Sequence, residues 1–223
     1  MENWSKDTNI DKYSLQSRVF DKIHEDILNG VYKENDVLRE MTIASELGVS
    51  RTPVREALRQ LELEGLVRII PNKGASVIGI SPKDLKDIYE MRARLEGMCA
   101  RWAIRNKTEE DIARLEEISD LSEFHVQKGR YDKVLELDNE FHHYLYKMAD
   151  SKMLYHTMTD FHHYLERIRK KTLSSQERVV KTIQEHRDII DAIKSGDEDK
   201  AEECTKSHIL NSMKNIEEHG LWG

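Results

Sequence analysis

At 223 residues, with a net charge of −7 and 35% charged side chains, the chain suits one large or two small domains and is too acidic overall to coat nucleic acid with its whole surface. No apolar run approaches the ~18 residues of a membrane helix, and the opening MENWSKDTNI lacks the apolar stretch of a secretory leader, so a soluble, cytoplasmic protein is expected. Cys99 and Cys204 stand far apart with no CxxC, which predicts reduced thiols rather than a disulfide framework.

Residues 1–12 read as a disordered arm. Leu15, Val19, Ile23 and Ile27 then recur at helical spacing up to a stop at Gly30. A second helix is expected near Glu40 to Leu47, a tight turn at Gly48-Val49-Ser50, and a third helix to about Glu64, with Ser50 as its cap and Pro53 in its first turn, where the missing N–H costs nothing. Two β-rich runs follow in LVRIIPNKGASVIGI, joined by Pro71-Asn72-Lys73-Gly74, a hairpin signal. SPKD restarts helix, with Ser81 as cap and Pro82 at the first helical position, so the domain boundary is set at about residue 79. Only one proline follows residue 71, and helical periodicity runs to the end. The spacing predicts six helices, at about 82–105, 109–127, 131–149, 152–172, 177–194 and 198–217. Thr108, Ser151 and Ser175 are candidate caps, and Gly129 and Gly196 candidate stops. The fold class is therefore mainly α: a winged helix-turn-helix unit at 13–78, then an antiparallel all-α bundle at 79–223.

The segment EMTIASELGVSRTPVREALRQ carries the strongest signal. Two helices packed at an angle need a small residue between them, here Ala44, and a glycine in the turn, here Gly48; Ile43, Leu47, Val49, Val54 and Leu58 fill the angle. The third helix presents Arg51, Thr52 and Arg55 from the end that enters a major groove, with Arg59 half a turn off that face as a phosphate contact or a solvated charge. Arginine can bond guanine O6 and N7 together. Residues 51–74 carry Arg51, Arg55, Arg59, Arg68 and Lys73 against Glu56, Glu62 and Glu64, so the local balance is positive in an acidic chain. ELGVSRTPVREALRQLELEGLV with PNKGASV after it resembles the winged helix of the GntR family of bacterial transcription regulators, over residues 15–78. The resemblance implies DNA contacts from Arg51, Thr52 and Arg55, with Lys73 and Gly74 in the wing. Some relatives carry an arginine at about Met41; here Arg39 stands nearby.

Nine of the ten histidines lie in the second half, and FHHYL occurs at both 141–145 and 161–165. Asp138 and His142 lie at i and i+4, flanked by Leu135 and Leu145, so the pair points inward. His186 lies in line with Ile183, Ile190 and Ile193, and His208 with Ala201 and Cys204. Three imidazoles and one carboxylate make either a first shell for zinc, nickel, manganese or iron, or a buried hydrogen-bond network without metal. In the second FHHYL, His162 borders the apolar stripe and can line a pocket, while His163 falls on a solvated row; Cys204 reads as a small core residue. Residues 82–215 resemble the metal-binding FCD effector domain of the FadR-type GntR subfamily, through LDNEFHHYL, EHRDIIDAI, KSHIL and MRARLEG. That resemblance implies metal at Asp138, His142, His186 and His208 and, as effector, a small organic acid or related metabolite.

Arg92 can pair with such an acid or with Glu96 one turn on; Arg94, Arg169 and Asn211 are further pocket candidates. The expected protein is a homodimeric, ligand-responsive repressor of a palindromic double-stranded operator. Rival readings are a regulator for which the metal itself is the signal, a structural metal site, and, remotely, a metal-dependent hydrolase fused to a DNA-binding domain. No separate general base stands out for the last of these, so no enzymatic activity is expected.

Overall fold

The computed structural model describes residues 12–71, 73–172 and 176–222. The expected arm, Asn72 of the hairpin turn and the candidate cap Ser175 lie outside the described residues. The chain divides into two compact units, Met1–Ser81 and Pro82–Gly223.

In the first unit α1 (Lys12–Leu28) packs on α3 (Arg51–Leu63), with α2 (Glu40–Leu47) leading into it. Val19, Ile23 and Ile27 form the buried stripe of α1, and Ile43, Ala44, Val54, Ala57, Leu58 and Leu61 close the angle between α2 and α3. Gly48 ends α2 with φ 65, in the left-handed region, and its N–H bonds back into the helix. Ser50 takes the N-cap position of α3 in extended conformation but makes no side-chain cap bond, unlike the expectation. The hairpin pairs β2 (Val67–Ile70) with β3 (Gly74–Val77) in register Val67↔Val77 to Ile70↔Gly74. A two-residue strand unforeseen in the sequence, β1 (Val37–Leu38), adds to the far edge of β3, giving the order β1-β3-β2.

The second unit is helical throughout its described residues: α4 (Pro82–Asn106), α5 (Glu109–Gln127), α6 (Tyr131–Met148), α7 (Lys152–Thr172), α8 (Gln176–Ser195) and α9 (Glu198–Glu218). Thr108 caps α5 through a reciprocal capping box with Asp111, and the Ser151 hydroxyl accepts from the Leu154 N–H at the start of α7. Alanines, aromatics and branched aliphatics such as Ala100, Ala103, Phe141, Tyr146 and Ile189 make the main core. The strongest packing joins the first and last helices of the unit, α4 and α9, while α5 lies against α6 and α8. Gly97 permits the α4–α9 approach: a Cβ there would sit 3.0 Å from the Glu202 carbonyl oxygen. This contact sets α4, which carries Arg92 and Glu96, against α9, which carries His208. No described helix is long and apolar enough to cross a membrane.

Replacing Gly97 by valine overpacks this seam. Thermal denaturation of the full chain should show a loss of about 1–3 kcal/mol, a fall of several degrees in Tm. An unchanged Tm would show that α4 and α9 are free to separate there.

Candidate functional site

Asp138 and His142 on α6, His186 on α8 and His208 on α9 are all buried, and one ligand atom from each lies within 4.8 Å of the others. Asp138 Oδ1 is 3.4 Å from His186 Nε2 and 3.9 Å from His142 Nε2, and His208 Nε2 is 3.3 Å from His142 Nε2. Three Nε2 atoms and one carboxylate oxygen thus face a common point. On the opposite ring nitrogens, His208 Nδ1 pairs with Glu185 Oε2 at 2.7 Å, whereas His142 Nδ1 lies close against Glu96 Oε1 without forming a hydrogen bond. His186 is held instead by stacking on Phe141, with ring centroids 3.9 Å apart. Its buried Nε2 has no hydrogen-bond partner among the described residues. An unpaired buried nitrogen aimed at a carboxylate and two more imidazoles is the donor set that a transition metal takes.

Around this cluster the charges are matched one to one. Asp138 Oδ2 accepts from Arg169, which also contacts His162; the His162 Nε2 lies 2.9 Å from Asn139 Oδ1. Arg92 pairs with Glu96 at 2.7 Å and reaches Tyr146, while Arg178 makes a two-pronged contact with Glu185 at 3.0 and 2.8 Å. Burial pushes the Asp138 carboxyl up, but Arg169 and the surrounding imidazoles outweigh it and hold it below the usual range. Glu185 is likewise brought down to about 2, burial notwithstanding, by bonds from His208 and Arg178. Burial first, then neighbouring charge, holds His142 well below its ordinary value and brings His186 to about 3. Both are therefore neutral at pH 7, the form that binds metal.

A small cavity opens onto the cluster, lined by Tyr89, Arg92, Asp138, His142, Arg169, Thr182, His208 and Ser212. Of the four effector candidates, Arg92 and Arg169 line it. Arg94 does not: two residues on from Arg92 it faces out and is exposed. Asn211 is also exposed and bonds to Glu185, at 2.9 Å. Tyr89, Thr182, Ser212, Arg178 and Glu185 escaped sequence reasoning. Ser212 and Glu185 were accessible to it, one turn after His208 and one residue before His186.

In the first unit Arg51, Thr52, Arg55, Arg59 and Lys73 are exposed, and Gly74 is half-buried. Arg51 and Arg55 converge on one carboxylate, Glu40 at the start of α2, while Arg59 turns aside to Glu56 at 2.9 Å. Arg39, Met41, Pro71 and Gly74 line the same cleft, so the N-terminal ends of α2 and α3 and the hairpin form one surface.

The profile described as "Bacterial regulatory proteins, gntR family" matches residues 15–77, and that described as "FCD domain" matches residues 87–211. The Bacillus subtilis HTH-type transcriptional regulator YdhC is 28% identical over 217 residues, covering 96% of this chain and 94% of that protein. The Escherichia coli HTH-type transcriptional repressor RspR is 25% identical over 202 residues, 91% of this chain and 89% of its own. The structure of E. coli McbR/YncC shares the fold, with a TM-score of 0.71 at 21% identity, covering 92% of this chain and 98% of that one.

The depressed histidines carry a pH signature. The unfolded chain binds these protons below about pH 6.5, whereas the folded site resists them to far lower pH. Chelated protein should therefore lose stability as pH falls from 7 to 5. Asp138 and Glu185, with folded values below their unfolded ones, add a second loss below about pH 4. Denaturant titrations at pH 7, 6 and 5 measure this; an unchanged midpoint would mean that the imidazoles are not held neutral.

Proposed function

Because this chain belongs to the GntR family of bacterial regulatory proteins and carries an FCD domain, and is thus a DNA-binding transcription regulator and not an enzyme, we propose a more specific role. It is a cytoplasmic, homodimeric repressor of the FadR-type subfamily, whose operator affinity is set by a small organic acid bound at a metal site in the helical unit. The observation that carries this reading is the convergence of one carboxylate and three imidazoles from three helices on one point. Asp138, His142, His186 and His208 would hold a divalent ion, zinc before nickel, manganese or iron, since nitrogen-rich four-ligand sets favour it. When bound, the ion would supply a positive centre able to attract a carboxylate.

The residues of the chain do the rest. Glu185 takes the outer nitrogen of His208 and Glu96 lies against that of His142, which keeps their Nε2 atoms turned inward. Arg92 and Arg169 offer guanidinium groups to the acid, and Tyr89, Thr182 and Ser212 offer hydroxyls that orient it. In the other unit Arg51, Thr52 and Arg55 read a palindromic operator, Arg59 meets phosphate, and Lys73 and Gly74 approach the backbone from the wing. An acid that prefers one arrangement of the dimer shifts its population, and operator affinity moves with it by linkage. That the relative RspR is a repressor supports the sign. A second reading, with the metal itself as signal, is favoured by the small size of the cavity.

Two measurements test these readings. A thermal-shift screen of metal-loaded and chelated protein against small organic acids should give hits with the loaded form alone. No shift with any acid, together with a change of DNA affinity on adding metal alone, would replace the first reading by the second. For the interface, Arg55→Ala should abolish binding to a duplex selected from a random pool by the wild type, with Tm unchanged because Arg55 is exposed. Retained binding would refute the assignment of the reading helix.

A further inference from the structure

We propose that Glu40 determines specificity on the DNA-reading surface: its carboxylate holds Arg55 side-on and takes a single bond from Arg51, leaving the end of the Arg55 guanidinium free to read a guanine. The inference rests on the assignment of Arg51 and Arg55 to the operator. Arg55 donates Nε to Glu40 Oε1 at 2.9 Å and Nη2 to Oε2 at 2.8 Å, and Arg51 donates Nη2 to the same Oε2 at 2.9 Å. The two Arg55 bonds use one edge of the planar guanidinium. The other edge, Nη1 with the second hydrogen of Nη2, is the fork that fits guanine O6 and N7.

The three side chains differ in exposure in the way a buttress requires. Glu40 is 19% exposed, against 56% for Arg51 and 47% for Arg55, so the acid forms the floor and the arginines the rim. The Arg55 hydrogen bonds, against a smaller effect of burial and with help from Arg51, bring the Glu40 carboxyl down to about 2. It is therefore charged at any working pH.

The carboxylate also has a second effect. Together the three groups carry one net positive charge instead of two, at the place where phosphates pass. Non-specific binding depends on the number of phosphates that the protein neutralises. A clasped pair of arginines contributes less to it than a free pair, while a pre-oriented fork loses less freedom on meeting its base. Met41, exposed on the same cleft, adds no charge to offset the acid. Glu40 thus lowers affinity for non-specific DNA and raises it for the correct DNA.

The test compares wild type, Glu40→Gln, Glu40→Asp and Arg55→Ala on two duplexes: one selected by the wild type from a random pool, and a shuffled duplex of the same composition. Glu40→Gln should weaken the selected duplex and tighten the shuffled one, lowering the ratio of affinities roughly tenfold or more. The salt dependence of shuffled binding should steepen by up to about 0.9 in slope. Glu40→Asp keeps the charge but is too short to span both arginines; it should lower the ratio without tightening shuffled binding, and it serves should Glu40→Gln fail to fold, as Tm reports. Tighter binding to both duplexes with the ratio unchanged would make Glu40 a charge brake only. No change in either variant would make the clasp irrelevant. Either result overturns the proposal, provided that Arg55→Ala loses the selected duplex. If Arg55→Ala binds normally, it is the reading-helix assignment that fails.

Discussion

A carboxylate removed from water must be met by charge or by hydrogen-bond donors, and Asp138 sets that requirement for the helical unit. It is 5% exposed in the middle of a bundle. Its two oxygens divide the work: Oδ2 takes Arg169, and Oδ1 faces the imidazoles. Each answering group is itself buried and needs a partner in turn. Arg169 contacts His162, which contacts Asn139; His142 leans on Glu96, which holds Arg92; His208 leans on Glu185, which holds Arg178. The network extends in this way across α4, α6, α7, α8 and α9. Buried ion pairs of this kind add little stability over well-packed apolar side chains of the same volume. The bundle has ample apolar core elsewhere, around Phe141, Leu145 and Ile193. Polar groups kept at such a cost argue for a ligand.

The same chemistry has the opposite consequence in the first unit. Glu40 with Arg51 and Arg55 is an ion cluster at a wet surface, so it adds little to stability. Its effect falls on what the arginines can do next. Inside the bundle, charge pairing satisfies groups that water cannot reach; on the reading face it restrains groups that water would leave mobile.

Much of this was legible in the sequence because it depends on spacing within one helix. The i, i+4 relation of Asp138 and His142, the inward rows of His186 and His208, the caps at Thr108 and Ser151 and the turn at Gly48 all follow from helical period and local backbone preference. The repeated FHHYL misleads in the same light: only the first copy follows an aspartate by one turn, and His162 of the second serves Arg169. What escaped was the meeting of helices far apart in sequence. The α4–α9 seam joins segments about a hundred residues apart, and connection lengths do not announce it. Arg94 and Asn211 were assigned to the pocket by nearness along the chain, yet both face outward. Arg178 reaches the site by a long side chain, whose rotamer no pattern encodes. Strand β1 has only two residues, one of them exposed, too short for alternation to register.

The central claim is that Asp138, His142, His186 and His208 form a metal centre. Metal analysis of protein purified without chelator, wild type beside His186→Ala, tests it most directly. About one equivalent of a transition metal in the wild type, and its loss in the variant, is the expected result. Equal metal content in the two, or none in the wild type after exposure to zinc, nickel, manganese and iron, would contradict it and leave a buried hydrogen-bond network in its place.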